Sequence, residues 1–382
     1  MPALATSDSE TGDSAFPEVG NPVPMQPAAA LVIAEHFDPE KIDRHYGPLS
    51  ACVADVTVVC MTPCETQRDL SYVIVPSFGP RLVGLVLMLG YAIREAWRNE
   101  YDIVFSTSLL PYGLYSLMLK YLWGIPAHLT IIGMDVDVHL HAWYRPLIVF
   151  AFGRFDSISV PGSVHRQHIE DAGISPSRVS ILSNAVDVDR YRPTQDDDEP
   201  IYDYLWVGRF SEEKSPLLFI DTLKRLVASD PDLRGAMVGA GPLAERVEAE
   251  IVSAGLEEHI HLPGWVDEPC DYYASSKVFV LTSSRDALPL SLLEAMASGT
   301  PCVVPLVGSI GDVAVHRDTA YVVPERTPAA YARALSELLA DDQLRRRISA
   351  RARMAAESYS YEAAEGDWRR ILSKIGSHGT PT

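Results

Sequence analysis

Residues 280–305, VLTSSRDALPLSLLEAMASGTPCVVP, set two carboxylates, Asp286 and Glu294, around the start of an otherwise apolar helix pattern. A β-branched run from Val278 to Leu281 gives way to Ser, Asp and Pro turn signals. A helical period ended by Gly299 comes next, and then a second β-branched run. Loops that follow parallel strands are where such sheets bind ligands. Pro289 suits the first helical turn, where its missing N–H costs nothing. The amides of Leu290 and Ser291 then point out of the helix start and offer an anion site. Glu294 lies about one turn further in, where a carboxylate can accept two hydrogen bonds from vicinal hydroxyls. The bland alternative is that Asp286 caps the helix and Glu294 merely favours its first turns. For an isolated D-x7-E that alternative wins.

Further candidates sit at other strand ends. In VGRFSEEK a strand ends at Gly208, and the cations Arg209 and Lys214 follow; alone, they read as a solvated Arg and a Lys paired with Glu212 or Glu213. The stretch VGAGP carries Gly239 and Gly241, a weak G-x-G without the third glycine of a dinucleotide fingerprint. LTIIGMDVDVH places Gly133 and Asp135 just after a strand. In an extended segment Asp135, Asp137 and His139 would share one face and could hold a divalent cation. A solvated acidic turn is the competing reading.

The elements that must position these groups alternate. Strands are expected at ALVIAEH, DVTVVCM, YDIVFST, AHLTIIG and DSISVPG, separated by helix-length segments that include LVGLVLMLGYAIREAWRN and YGLYSLMLKYLW. The acidic, proline-flanked RPTQDDDEP breaks the composition, and strands resume at YDYLWVG, GAMVGAG, HIHLPGW, KVFVLTS, PCVVPLV and AYVVP. The expected fold class is α/β, two Rossmann-like doubly wound domains facing an interdomain cleft. The expected divisions are a disordered tail over 1–28, a first domain over 29–190, a second over 191–360, and a helix over 361–376 crossing back to the first.

At 382 residues the chain suits two domains of ordinary size. Its five cysteines form no C-x-x-C pair and are odd in number, which implies reduced thiols in a cytosolic protein and no zinc site. The net charge of −19, with only 6 Lys among 32 basic residues, repels phosphate backbones and excludes nucleic acid as a partner. Such a surface suits concentrated salt, where screening lengths fall to about 3 Å at 1 M. The longest uncharged apolar run, Leu82 to Ile93, falls short of the roughly 18 residues that span a bilayer.

Four stretches between residues 175 and 325, VSILSNAVDVDRYRP, WVGRFSEEKSP, VGAGPLAERV and SSRDALPLSLLEAMASGTPCVV, occur in the order and approximate spacing of one family. The chain resembles the GT-B glycosyltransferases, and within them glycosyltransferase family 4, the glycosyl transferases group 1. The resemblance is looser in the first domain, where it rests on the alternation and on GMDVDV.

What the resemblance implies is a retaining enzyme that takes a nucleotide-sugar donor and a glycan or lipid-linked acceptor, with no metal or other cofactor. Arg209, Lys214, Gly239, Gly241, Leu290, Ser291 and Glu294 would bind the donor. Glu294 would hold the ribose, the helix amides the distal phosphate, and Asp286 the transferred sugar; Asp135 would contact the acceptor or reacting sugar. Gly133, with Glu35 and His36 where the family has a glycine-rich loop, would shape the acceptor side. Asp stands at 286 where the family has Glu, Ala287 where it has Gly, and Asp312 where it has another Glu. Those departures keep open a degenerate nucleotide-binding partner of an active transferase; a GT-B sugar-nucleotide epimerase, which would share the nucleotide contacts but require no acceptor, is the other alternative. The apolar helices of the first domain add an expectation of peripheral membrane contact, with core packing as the competing explanation.

Overall fold

The computed structural model describes residues 28–34, 40–62, 69–76, 79–131, 134–182, 184–193 and 200–378. The expected tail therefore lies outside the described residues except for Ala28, whose amide donates to Asp102 Oδ2 at 2.6 Å.

Among the described residues the strands form two sheets, and every pairing is parallel. The first contains β1 (Ala29–Ile33), β2 (Asp55–Cys60), β3 (Ser71–Ile74), β4 (Ile103–Thr107), β5 (Ala127–Thr130), β6 (Ser157–Val160) and β7 (Val179–Ile181), in the order β3-β2-β1-β4-β5-β6-β7. The second contains β8 (Tyr202–Val207), β9 (Gly235–Val238), β10 (Ile260–Gly264), β11 (Ser276–Val280), β12 (Cys302–Pro305) and β13 (Tyr321–Val323), in the order β10-β9-β8-β11-β12-β13. Both orders reverse direction beside their first strand, which opens a crevice at the strands' carboxyl ends. Central strands such as β4 and β12 are buried along their whole length, as continuous apolar runs require when helices cover both faces. β3 and β7 are short edge strands that the sequence spacing did not predict. β3 is partly exposed, so it lacks the buried run that marks its neighbours.

The first sheet carries helices α1 (Glu40–Ser50), α2 (Arg81–Arg98), α3 (Leu114–Trp123), α4 (Met134–Asp137), α5 (Arg145–Phe152) and α6 (Ser163–Asp171). The second carries α7 (Pro216–Val227), α8 (Ala244–Ala254), α9 (Cys270–Ala274), α10 (Leu290–Ala297), α11 (Pro328–Ala340) and α12 (Asp342–Glu357). The last helix, α13 (Tyr361–His378), packs on the first sheet beside α1. Its Trp368 is fully buried, meets Phe105 edge-on at 5.1 Å and donates to the His45 carbonyl at 3.0 Å. The chain thus crosses between the sheets twice, near Val186 and Ser360, and the Val186 amide bonds Tyr359 O where the two crossings meet.

Candidate active site in the interdomain cleft

Two adjoining cavities occupy the cleft. The larger, about 540 Å³, is lined by Arg209, Lys214, Gly239, Gly241, Leu290, Ser291 and Glu294, together with Arg44, Tyr191 and Trp265. The smaller, about 420 Å³, is lined by Asp286, Arg285, Glu213 and Asn184 from one side and by Arg44, His45 and Asp137 from the other. Lys214, Leu290 and Arg44 border both. The seven residues expected to bind a donor therefore share one cavity, and Asp286 stands next door.

Local chemistry explains this convergence. Trp206 at the end of β8 donates to the buried Thr282 hydroxyl at 2.9 Å, and Thr282 Oγ1 lies 2.8 Å from the Lys214 carbonyl. The Ser284 amide donates to the Glu213 carbonyl at 2.7 Å. These bonds stitch the loop after β8 to the loop after β11, and they bring the Lys214 ammonium onto the Asp286 carboxylate. Ser283 Oγ donates to the same carboxylate at 3.1 Å. Asp286 makes no capping bond to α10, and Lys214 pairs with neither Glu212 nor Glu213 among the described ion pairs. The bland readings of both residues are thereby replaced by one part-buried pair at the cavity boundary.

Pro289 is extended, with ψ 132°, so it is the residue before α10 rather than its first helical one. Leu290 and Ser291 still open the helix and line the larger cavity, and a helix start attracts anions. Glu294 is only 6% exposed, and the Tyr273 hydroxyl donates to its Oε2 at 2.9 Å. Burial, followed by the Glu294 charge, pushes the Tyr273 phenol well above its ordinary pKa, which keeps it a donor. Tyr191, 5.9 Å from Tyr273 between ring centres, is raised in the same way and partly offset by Arg44.

Gly239 and Gly241 serve backbone contact. Their φ values are 150° and 156°, and a Cβ would lie 1.9 Å from the Gly208 carbonyl oxygen and 2.5 Å from that of Phe210. The loop after β9 can lie against the loop carrying Arg209 only because side chains are absent there. Gly308 does the same for Asp286: its φ is 52°, and a Cβ would meet the Asp286 carbonyl at 1.7 Å. The Ser309 amide already donates to Ala287 O at 2.7 Å, so it is not offered to a ligand.

Contacts across the cleft set its width. Ser309 Oγ accepts from the Val164 amide at 3.2 Å, and Asp312 accepts from the Ser163 amide at 2.7 Å and from the Ser163 hydroxyl. Side chains of the second unit thus cap α6 of the first. Asn184 Nδ2 donates to Leu288 O at 2.9 Å and ties the junction to the loop before α10.

On the first unit's side the expectations fare differently. Gly133, Glu35 and His36 lie outside the described residues. Asp135 belongs to α4, and its side chain is likewise outside them. The segment is helical rather than extended, so Asp135, Asp137 and His139 do not alternate on one face. Asp137 instead accepts from or pairs with His165 Nε2 at 3.1 Å, and His139 Nδ1 meets the Tyr144 hydroxyl at 2.8 Å. Sequence reasoning passed over Arg44, His45, Tyr191 and Tyr273 as site residues; it named Asp137 as a cation ligand but not its pairing with the buried His165. The proximity of Tyr191 to the composition break was the one available signal.

Two Rossmann-like units facing one cleft, with cations, a helix start and carboxylates gathered at the strand ends of the second, define the GT-B class. Comparison with known proteins agrees. The glycosyl transferases group 1 family matches residues 187–355, and glycosyltransferase family 4 matches residues 51–190. The D-inositol 3-phosphate glycosyltransferase of Corynebacterium glutamicum (strain R) is 30% identical over 310 residues, 72% of this chain and 72% of that protein. The UDP-Gal:alpha-D-GlcNAc-diphosphoundecaprenol alpha-1,3-galactosyltransferase of Escherichia coli is 25% identical over 72% of this chain and 73% of its own length. Among solved structures, Anabaena HepE in complex with UDP and glucose superposes with a TM-score of 0.77 at 15% identity, covering 91% of this chain and 99% of that one. The chain belongs to glycosyltransferase family 4, with the GT-B fold. Its match spans about half the length of the first curated relatives, 47% in each.

Among the described residues no helix is long and apolar enough to cross a membrane.

Proposed function

We propose that the protein transfers a sugar, with retention of configuration, from a nucleoside-diphosphate sugar held by the second unit to a glycan or lipid-linked acceptor entering from the first. The observation that carries this reading is the single cavity of about 540 Å³ shared by Arg209, Lys214, Gly239, Gly241, Leu290, Ser291 and Glu294. In it Glu294 accepts from the ribose hydroxyls. Arg209, Lys214 and the amides of Leu290 and Ser291 stabilise the departing diphosphate, where charge develops in the transition state. Asp286 holds the transferred sugar in the adjoining cavity, and the first unit supplies Asp135 and the acceptor wall.

These cations and amides supply the countercharge for the diphosphate, which supports a metal-independent reaction. Retention rests on membership of the family. A lipid-linked acceptor draws on the name of the Escherichia coli relative, whose acceptor is a diphosphoundecaprenol.

The test is incubation with UDP-, GDP- and ADP-sugars, with and without saccharide and lipid-linked acceptors, in the presence of EDTA. Acceptor-dependent release of one nucleoside diphosphate, with an α-linked product from an α-linked donor, is expected. An epimerised nucleotide sugar formed without acceptor would mark an epimerase instead, and nucleotide binding without turnover of any pair would mark a degenerate partner.

The charge of −19 with 6 Lys also leads us to infer a cytoplasmic protein adapted to high salt. Cooperative unfolding that is lost at low salt and restored near 1 M supports this; indifference to salt would remove it.

A further inference from the structure

Helices α2 and α3 pack on each other, and α2, α3 and α5 cover the same core of the first sheet. Their inward residues, among them Met88, Leu119 and Ile148, join a single core cluster. The outward faces of these helices, with the turn before α5, carry most of the large exposed apolar side chains found among the described residues. Trp143 is 91% exposed, Trp97 74% and Leu82 70%, with Leu147, Tyr121 and Leu122 also exposed. The second unit exposes fewer such side chains, for example Val252 and Met354, as any surface does. Exposed apolar side chains concentrated on three helices of one sheet face mark an interaction site.

The charge on the same face is reversed relative to the rest of the chain. Over 81–98, 114–123 and 145–154 the basic residues are Arg81, Arg94, Arg98, Lys120, Arg145 and Arg154, and the one acid is Glu95, which is buried. Acids nearby are Asp156, paired with Lys120 at 2.8 Å, and Glu100 and Asp102 beyond the end of α2. The whole chain has a net charge of −19, so this is a basic, aromatic-rich face on an acidic protein. Arg154 lies 4.3 Å from the centre of the exposed Phe150 ring and Arg94 5.0 Å from that of Tyr91. Aromatic rings beside cations are the composition of a surface that sits at lipid headgroups, with Trp and Tyr at the interface and Arg on phosphates.

We propose that this face docks on an anionic lipid bilayer. Charge and apolar surface together select the occupant: most of the remaining surface is acidic and repelled by such a bilayer, and the other arginine-rich helix, α12, exposes Met354 as its one large apolar side chain, so this face alone joins cations to a set of exposed aromatic rings. The same orientation serves the cleft. Trp143 follows Asp137 by a few residues, and Asp137 lines the cavity that holds Asp286. A docked α2–α3–α5 face brings that cavity's wall toward the headgroups, where a lipid-linked acceptor resides. The use of the surface rests on the transferase reading; its affinity for lipid does not.

The experiment is co-sedimentation of the full chain with vesicles of phosphatidylcholine alone and of phosphatidylcholine with about one third phosphatidylglycerol. Binding to the anionic vesicles at least tenfold stronger than to the neutral ones is expected. Trp97→Ser combined with Trp143→Ser and Leu147→Ser should reduce it at least tenfold. Arg94→Glu with Arg98→Glu and Arg145→Glu should abolish the preference for anionic lipid. All these positions are exposed, so circular dichroism should be unchanged, and nucleotide titration of the same variants reads the donor site independently. Equal or absent sedimentation with both vesicle types by the folded wild type overturns the proposal. So does a concentration-dependent dimer that the triple Ser variant abolishes, since the face would then belong to a second copy of the chain.

Discussion

The Lys214–Asp286 pair gives the sharpest prediction, because one substitution should move binding and turnover in opposite directions. Asp286 is 13% exposed at its side chain and Lys214 23%, and the pair stands where the two cavities meet. Asp286→Asn keeps the shape and an acceptor for Ser283 but removes the charge. An incoming diphosphate then no longer faces a carboxylate, and Lys214 is released to it. For phosphates taken at about 7 Å and an effective dielectric of about 20, Coulomb's law gives roughly 2 kcal/mol per charge pair. Water in an open cleft reduces this to about 1 kcal/mol, equivalent to a roughly fivefold tighter Kd for the nucleoside diphosphate. Loss of the sugar's charged acceptor should meanwhile lower turnover at least tenfold, at about 1.4 kcal/mol per factor of ten. Calorimetry of nucleotide binding beside a donor-turnover assay separates the two. If Asp286→Asn weakens nucleotide binding in step with turnover, Asp286 serves to orient Lys214 and the reasoning given for the sugar contact is wrong.

Two further outcomes concern the frame around the site. Gly241→Ala puts a Cβ 2.5 Å from the Phe210 carbonyl at φ 156°, so it should cost about 1–3 kcal/mol and weaken nucleotide binding as the two loops part; an unchanged Tm with unchanged affinity would contradict that. His128 is fully buried, and burial holds its pKa down at about 3. The unfolded chain takes up this proton below about 6.5 and the folded chain does not, so stability falls with pH from about 6.5 toward 3. At pH 5 the share of this one group is about 2 kcal/mol. His128→Gln should therefore lose about that much less between pH 7 and pH 5 in denaturant titrations, and equal losses would refute the assignment.

The second unit was legible because its functional groups fall in short continuous stretches at strand ends. Asp286, Glu294, Arg209 and Lys214 each follow a buried run, and parallel topology alone sends such loops to one edge of the sheet. The reason for Gly239 and Gly241 was not legible: the close approach of Gly208 and Phe210 backbone that demands them is tertiary. The same holds for Arg44 and His45, which meet the second unit's residues only through the packing of one unit on the other; no local spacing announces that. The helical state of Met134–Asp137 also escaped the period-two reading, since three alternating polar residues fit a turn of helix as readily as a strand. The edge strand β3 was missed because a short, partly exposed strand needs little apolar alternation, and β7 because three residues are too few to show a period.

The central claim is that the larger cavity is a nucleotide site whose ribose is held by Glu294. The most direct test is calorimetric titration of UDP, GDP and ADP into the wild type and into Glu294→Ala, in high salt. Two charge-assisted hydrogen bonds to the ribose, at about 1.5 kcal/mol or more each, predict at least a hundredfold weaker binding in the variant for whichever nucleotide the wild type prefers. Equal affinities in two folded proteins, or no nucleotide bound by the folded wild type, would contradict the account.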